Sequence, residues 1–445
     1  MVGEKRLRQV AQDILAYSSA TQTEVVLSSG ERGLTRFANS AIHQHVTEDH
    51  IHVSVRVVVG KKIGVASSNK IDKISLKRVV DKAIQIAELQ KEDPHFHSLP
   101  IPNEYEKVNA YSEKTTQITP IEKAQQVGKL IRLAEDASLI ASGSFETATT
   151  ELAISNSLGV WAYYPSTSAS FSTVLLGESG TGFSSQFGID VETIQVETIA
   201  QKAIAKAKAS EKPIKLPAGE YEVVLEPPAV NEMLLFFSYL GPNARVVHEN
   251  ASFLTGRMET KVLSPQVTIV DDPFDVRGVP MPFDFEGAPK KKLTLIEKGV
   301  ARMIAYDSYH AFKHHMENTG HALPAPNVMG PMPGHLIILP GEKTLEDMIK
   351  NVKRGLLVTR FWYVRSIHFK LLNITGMTRD GTFLIENGEI VAPVKNMRFT
   401  ESIPEALSDV RSIGKTLSVE QSWVGANLVP ALHIGHFMFT GQTDF

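Results

Sequence analysis

"HIHVSVRVVVGKKIGVASS", residues 50–68, decides the fold class. Ile51, Val53, Val55 and Val57 occupy alternate positions and so share one face of an extended strand; "GKK" turns the chain, and "IGVASS" runs back. So short a turn can join only antiparallel strands, because parallel partners need a long crossover. Working outward, residues 4–16 carry Leu7, Val10, Ala11, Ile14 and Leu15 at helical spacing, and "TEVVLSS" reads as a strand. A second helix over 75–90 lines up Leu76, Val79, Val80, Ala83 and Ala87. Thr119, Pro120 and Glu122 supply an N-cap, a first-turn proline and a capping-box acid for a third.

From 139 to 190 the text becomes Ser/Thr-rich, with short strands broken by Gly and Asn that should pair as hairpins, and an Ala/Lys-rich helix follows near 191–209. "SEKPIKLPAGEY" is the clearest linker. It divides the chain into residues 1–212 and 213–445. Beyond it, "YEVVLEP", "PQVTIVDDP", "KLTLIEKGVARMIAY", "HLIILPG", "GTFLIENGEIVAPV" and "LHIGHFMFTG" read as strands, with "AVNEMLLFFSYL" and "TLEDMIKNVKRG" as the best helices. The expected class is α+β in two domains: a mixed N-terminal domain of antiparallel hairpins and amphipathic helices, and a β-rich antiparallel C-terminal domain. No internal repeat is visible.

With 445 residues, 42% hydrophobic and 21% charged, the chain has the balance of a soluble globular protein, and no stretch approaches the ~20 apolar residues of a membrane span. The N-terminus reads as a helix rather than a signal peptide, so the cytoplasm is expected. The absence of cysteine excludes disulfides, Cys-ligated zinc and thiol catalysis, leaving His, Asp and Glu for any metal. A net charge of −3 with interspersed signs gives no footprint for nucleic acid.

Candidate chemistry is incomplete everywhere. "VVHENASFLTGRM" (246–258) starts like a zinc-protease helix at His248 and Glu249, but Ser252 and Phe253 stand where the second His of HExxH or HExxxH belongs, and the pair reads as part of a loop. "YHAFKHHMENTGHAL" holds His310, His314, His315 and His321, which read as loop histidines or zinc ligands. His433 and His436 point to opposite faces of a regular strand, so joint binding needs a bulge at Gly435. Asp271 and Asp272 read as an ordinary turn before Pro273. "GKT" at 414–416 lacks the phosphate loop's first glycine, since position 409 is Asp, and "GESGTG" precedes strand-like sequence.

Several stretches together resemble the TldD/PmbA family, described first as modulators of DNA gyrase and later as zinc metalloproteases. "TRFANSAIHQHV" and "DPHFHSLP" resemble its N-terminal segments; "FLTGRM", "LSPQVTIVDDP", "DFEGAP", "LIEKGV", "NTGHA" and "LPG" follow in its order, and "VTRFWYVR" with "LNITGMTRDGTFLIENGEIVAPV" is the most specific match. The resemblance runs from about residue 30 to the C-terminus. It implies that TldD-like members carry HExxxH plus a later ligand, often Cys, that PmbA (TldE)-like members lack them, and that the two pair around a cavity in which unfolded peptides are cut. The HExxxH equivalent here is "NEMLLF": Glu232 keeps the acid, while Asn231 and Phe236 stand at the ligand positions, and "EQSWVGANL" (420–428) falls where the later ligand would be.

The expectation is therefore a metal-free TldE/PmbA-like subunit with no cofactor, partnered by a TldD-like catalytic subunit or by itself, handling unfolded peptides, with no role for nucleic acid or membrane. One alternative is an active metallopeptidase whose zinc is held by relocated ligands among His310, His314, His315, His433 and His436. The other is a peptide-binding structural homodimer that takes up extended chains on an open strand edge.

Overall fold

The computed structural model describes residues 1–443. The N-terminal part runs α1 (Glu4–Tyr17), β1 (Gln22–Ala38), β2 (Ala41–Val59), β3 (Lys62–Ser68), α2 (Lys73–Leu89), α3 (Glu113–Gln117), α4 (Pro120–Asp136), β4 (Ile140–Asn156), β5 (Trp161–Leu176), β6 (Thr181–Gly188) and α5 (Val196–Ala209). Its six strands form one antiparallel sheet in the order β3-β2-β1-β4-β5-β6. Val53, Val55 and Val57 face α1 and α2 in one core, while Phe145, Ala169 and Phe171 face α4 and α5 in another. The capping box at Thr119 and Glu122 forms as expected.

The strands expected to be short are long, with 17 residues in β4 and 16 in β5. In β5 the serines Ser166, Ser168, Ser170 and Ser172 occupy partly exposed positions where a hydroxyl is wet, while Thr147, Thr149, Thr167 and Thr173 are buried, where β-branching suits the pleat.

A repeat is present after all. α1-β1-β2-β3-α2 and α4-β4-β5-β6-α5 have the same element order, and they meet where β1 pairs with β4. In each half a glycine on the third strand presses against the last helix: a Cβ at Gly64 would lie 2.1 Å from the Ala83 carbonyl oxygen, and one at Gly182 would lie 2.1 Å from that of Ala203. The sequence hides this because each half needs only alternating apolar residues and one small contact, which many unrelated sequences supply.

The linker is pinned rather than free, since Ile214 N–H donates to the Pro393 carbonyl at 2.9 Å. After it come β7 (Gly219–Leu225), α6 (Pro227–Leu240), α7 (Ala244–His248), β8 (Ile269–Asp271), β9 (Leu293–Glu297), β10 (Val300–Ala301), α8 (Ser308–Lys313), β11 (Leu336–Ile338), α9 (Leu345–Lys350), β12 (Arg354–His368), β13 (Asn373–Glu386), β14 (Glu389–Pro393), β15 (Met397–Ser402), α10 (Ile403–Ser408), β16 (Val410–Ile413), β17 (Ser418–Gln421), β18 (Ala426–Val429) and β19 (Leu432–Gln442). The pairings β12-β7-β19-β15-β13 return to β12, so five strands close into a small barrel that leaves no open edge among them. Phe361, Phe399, Phe437 and Phe439 fill it in mutual ring contact. A second sheet has the order β10-β9-β8-β11-β18-β17.

The C-terminal region is mainly antiparallel, with parallel pairs at β7–β12 and β11–β18. One core joins barrel and second sheet through α6, whose Val230, Met233, Leu234 and Phe237 are buried between them. Among the described residues no helix is long and apolar enough to cross a membrane.

The two parts are joined by buried polar contacts. Arg56, opposite Glu24 on the β1–β2 ladder, donates to Glu24 at 2.6 Å and across the seam to Glu286 at 2.9 Å. Lys206 on α5 pairs with Glu226 at 2.5 Å. Between them lies a cleft of about 920 Å³ bordered by β6 and β17, each the last strand of its sheet.

Candidate functional site beside the first C-terminal helix

Helix α6 begins directly after β7, with Pro227 and Pro228 in its first turn, where missing N–H groups cost nothing. Its apolar positions turn into the core, and Asn231 and Glu232 lie toward β17. Asn231 is 7% exposed and fully engaged: its Nδ2 donates to the Gln421 carbonyl at 3.1 Å, and its Oδ1 accepts from Asn427 Nδ2 at 2.9 Å. Asn427 Oδ1 in turn accepts from the Leu336 N–H at 2.9 Å, so these amides tie α6 to β18 and β11. Phe236 packs on the main core. The Trp423 indole, 62% exposed, donates to the Leu235 carbonyl at 3.4 Å.

Glu232 differs from both neighbours. Burial pushes its carboxyl up, with Arg360 and Arg365 pulling the other way. Glu420, which borders the interdomain cleft, is pushed up to about 7 by burial, against a hydrogen bond from Ser418 at 2.7 Å and with Glu232 adding repulsion. At neutral pH Glu420 is thus partly protonated, and beside Glu232 it can donate or accept a proton.

A zinc ion does not fit these residues. Asn231 has both ends of its amide committed, Phe236 has no lone pair, and the segment 420–428 supplies one carboxylate, whereas such a site needs three or four donors converging at ~2.0–2.2 Å. Among the described residues no three His, Asp or Glu side chains are grouped so that they could hold a metal.

The candidate histidines make separate contacts, with His310 and His314 both near His248. His310 Nδ1 lies 2.7 Å from Asp307, the residue that also caps α8. His314 stacks on His248 with centroids 3.5 Å apart, and His315 is exposed. The irregularity that joint binding would require near Gly435 is present, but it serves two separate contacts: His433 meets Glu222 at 2.7 Å and His436 meets Asp409 at 3.1 Å, with Arg411 3.8 Å from the first carboxylate and 3.7 Å from the second. A cation thus stands where a shared metal would have to be.

Two further readings are corrected. His248 is not on a loop but ends α7, where Tyr306 meets its Nε2 at 3.0 Å; Ser252 and Phe253 are buried structural residues, Ser252 donating to the Gly241 carbonyl. Asp271 is no solvated turn. It is fully buried, accepting from the His335 N–H at 2.8 Å and meeting His321 Nε2 at 2.9 Å, while Asp272 alone keeps the turn. Burial would raise the Asp271 carboxyl, but the His321 hydrogen bond and the proximity of His321, His335 and Lys290 hold it well below the usual range.

Comparison with known proteins fits this architecture. Family models for PmbA/TldA metallopeptidase domain 1, central domain and C-terminal domain match residues 23–87, 113–211 and 218–441, the first two falling on the two halves of the repeat. A Haemophilus influenzae metalloprotease TldD homolog is 25% identical over 390 residues, covering 81% of this chain and 78% of its own. A Buchnera aphidicola metalloprotease PmbA homolog is 25% identical over 298 residues, covering 65% and 64%. A Methanothermobacter thermautotrophicus metalloprotease is 24% identical over 251 residues, and the match spans 55% of this chain and 53% of that relative's length.

The same fold is found in TldE from Thermococcus kodakarensis, with a TM-score of 0.88 at 21% identity over 98% of this chain and all of that one. A Thermotoga maritima protein put forward as a modulator of DNA gyrase gives 0.87 at 19%, with the same coverage. By the models that match in order along its length, this chain belongs to the PmbA/TldD metallopeptidase family.

Proposed function

We propose that this chain is the metal-free, TldE/PmbA-like subunit of a peptide-degrading assembly, completing a chamber with a TldD-like catalytic partner. One observation carries the reading: at the positions that the family resemblance assigns to the two HExxxH ligands, Asn231 is spent on hydrogen bonds that hold α6 to β17 and β18, and Phe236 on core packing. Relatives that include TldD and PmbA homologs support a place in such an assembly. In this role the chain binds and orients extended peptides, and the partner supplies the metal and the hydrolytic step.

The test is metal analysis and peptide hydrolysis with the purified chain, alone and mixed with a TldD-like subunit. Sub-stoichiometric zinc and no cleavage alone, with cleavage in the mixture, is expected; stoichiometric zinc in the isolated chain, or hydrolysis by it, overturns the reading. The open edges of β6 and β17 along the cleft favour a second reading, a homodimer that captures peptides by strand addition without proteolysis. A chain that purifies from cells only as a homodimer, with no TldD-like companion, would favour that one.

A further inference from the structure

Next to the Asn231 site, the β12–β13 ladder is irregular. Its register shifts between Val358 and Arg360 and again between Trp362 and Arg365. Adjacent residues on a regular strand point to opposite faces, but at the second shift Trp362 and Tyr363 are both solvent-facing, 45% and 65% exposed. Tyr363 has φ 54°, a conformation that bulky residues rarely adopt and that is maintained only when the surroundings impose it.

These rings are interleaved with guanidinium groups. Arg360 lies 4.1 Å from the Phe183 centroid on β6 and 5.2 Å from that of Trp362; Arg379 lies 4.9 Å from Trp362, and Arg365 lies 4.4 Å from Tyr363. The ladder thus spans from the cleft-bordering strand β6 to the outside of the barrel. A guanidinium lying on a ring keeps its N–H edge free for a carboxylate.

The charges do not balance. Buried Asp380 accepts from Arg360 Nε at 2.7 Å, while Arg379 comes no closer to it than 3.9 Å. Arg365 donates to the Val364 carbonyl and has no ion pair among the described residues. Asp380 therefore serves two guanidinium groups, and Arg365 pairs with no carboxylate among the described residues.

We propose that this arginine–aromatic wall is a docking surface for extended peptide segments that carry acidic side chains beside apolar ones. Carboxylates would meet the free edges of Arg365 and Arg379, and apolar side chains would cover Trp362 and Tyr363. Nucleic acid is disfavoured because the surplus charge is local and the chain as a whole is at −3. The inference rests on the peptide-handling role but needs neither metal nor partner. It is tested on the isolated chain, so its failure would leave the proteolysis test of the assembly untouched.

The probes are two fluorescein-labelled peptides, one alternating Glu with Phe and Leu, the other with Lys replacing every Glu, read by anisotropy. The acidic peptide should bind about tenfold more tightly than its lysine counterpart, and the exposed-site variant R365Q/R379Q should lose about tenfold for the acidic peptide alone. Raising salt from about 0.05 to about 0.3 M should weaken the acidic complex of the unaltered chain. Equal binding of both peptides, salt-independent binding, tighter binding of a single-stranded oligonucleotide, or undiminished binding by a variant with native circular dichroism would each overturn the proposal.

Discussion

In the N-terminal sheet the helix-covered face carries Val25, Leu27, Val53, Val55 and Val57 on one half and Phe145, Ala169 and Phe171 on the other, whereas the C-terminal region buries Asp271, Asp284, Glu286, Lys290, His321 and His335 among strands as short as two or three residues. A long strand sets its register by alternation, because a slip of one residue would turn every apolar side chain outward. A three-residue strand has too little alternation to do this. β8 is instead located by directed contacts: Asp271 at its end holds the His335 N–H ahead of β11 and the His321 ring. Alternation fixes register through many similar contacts, any one of which can be weakened, while a buried polar network demands every partner.

The largest effect should come from breaking that network. Asp271→Ala leaves the His335 N–H and His321 Nε2 unpaired and should cost about 3–5 kcal/mol in urea unfolding. Its pH dependence follows from the lowered carboxyl: the stabilisation is present above the unfolded value near 3.8 and is lost as pH falls through the folded one, so acid should erode the gap between wild type and variant. A variant equally sensitive to acid would show that Asp271 does not anchor the region.

Substitution at the repeat tests the other side of the comparison. Gly64→Val and Gly182→Val each drive a side chain into the last helix of its half, and each should cost about 1–3 kcal/mol by the same assay. A loss at one position only would mean that the two halves are alike in element order but not in packing.

A smaller, pH-dependent effect belongs to Glu420. Its carboxyl is raised from 4.5 to about 7, so its contribution is fully present below the unfolded value and disappears as pH rises through 7. Between about pH 5 and about pH 8 wild type should therefore lose about 1–3 kcal/mol more than Glu420→Gln. Glu24, also raised to about 7 by burial, remains in both proteins and cancels in the difference. The smallest effect is expected at an exposed cap: Thr119→Ala removes the box on α4 and should lower stability by about 1 kcal/mol, read as a shifted thermal midpoint.

Legibility in the sequence followed the same division. The helices at 4–17, 73–89 and 120–136 were readable because each carries its own stripe or cap. At the candidate site, "NEMLLF" and "EQSWVGANL" could be connected only through family resemblance, since 190 residues separate Asn231 from Gln421 and nothing local announces their hydrogen bond. The arginine–aromatic wall was overlooked although "RFWYVR" spells out half of it. Regular alternation would send Trp362 and Tyr363 to opposite faces, and only the bulge between Trp362 and Arg365 leaves both exposed.

By itself the sequence determined the α+β class, the hairpins and capped helices of the N-terminal part, the lack of cysteine chemistry and the family, all carried by local periodicity or by motifs in order. Tertiary structure alone decided the closure of the barrel, the pseudo-repeat, the separate contacts of the histidines and the proximity of Glu232 to Glu420. Each of these depends on which distant segments share a low-dielectric interior, where a charge or an amide must find a partner whatever its distance along the chain.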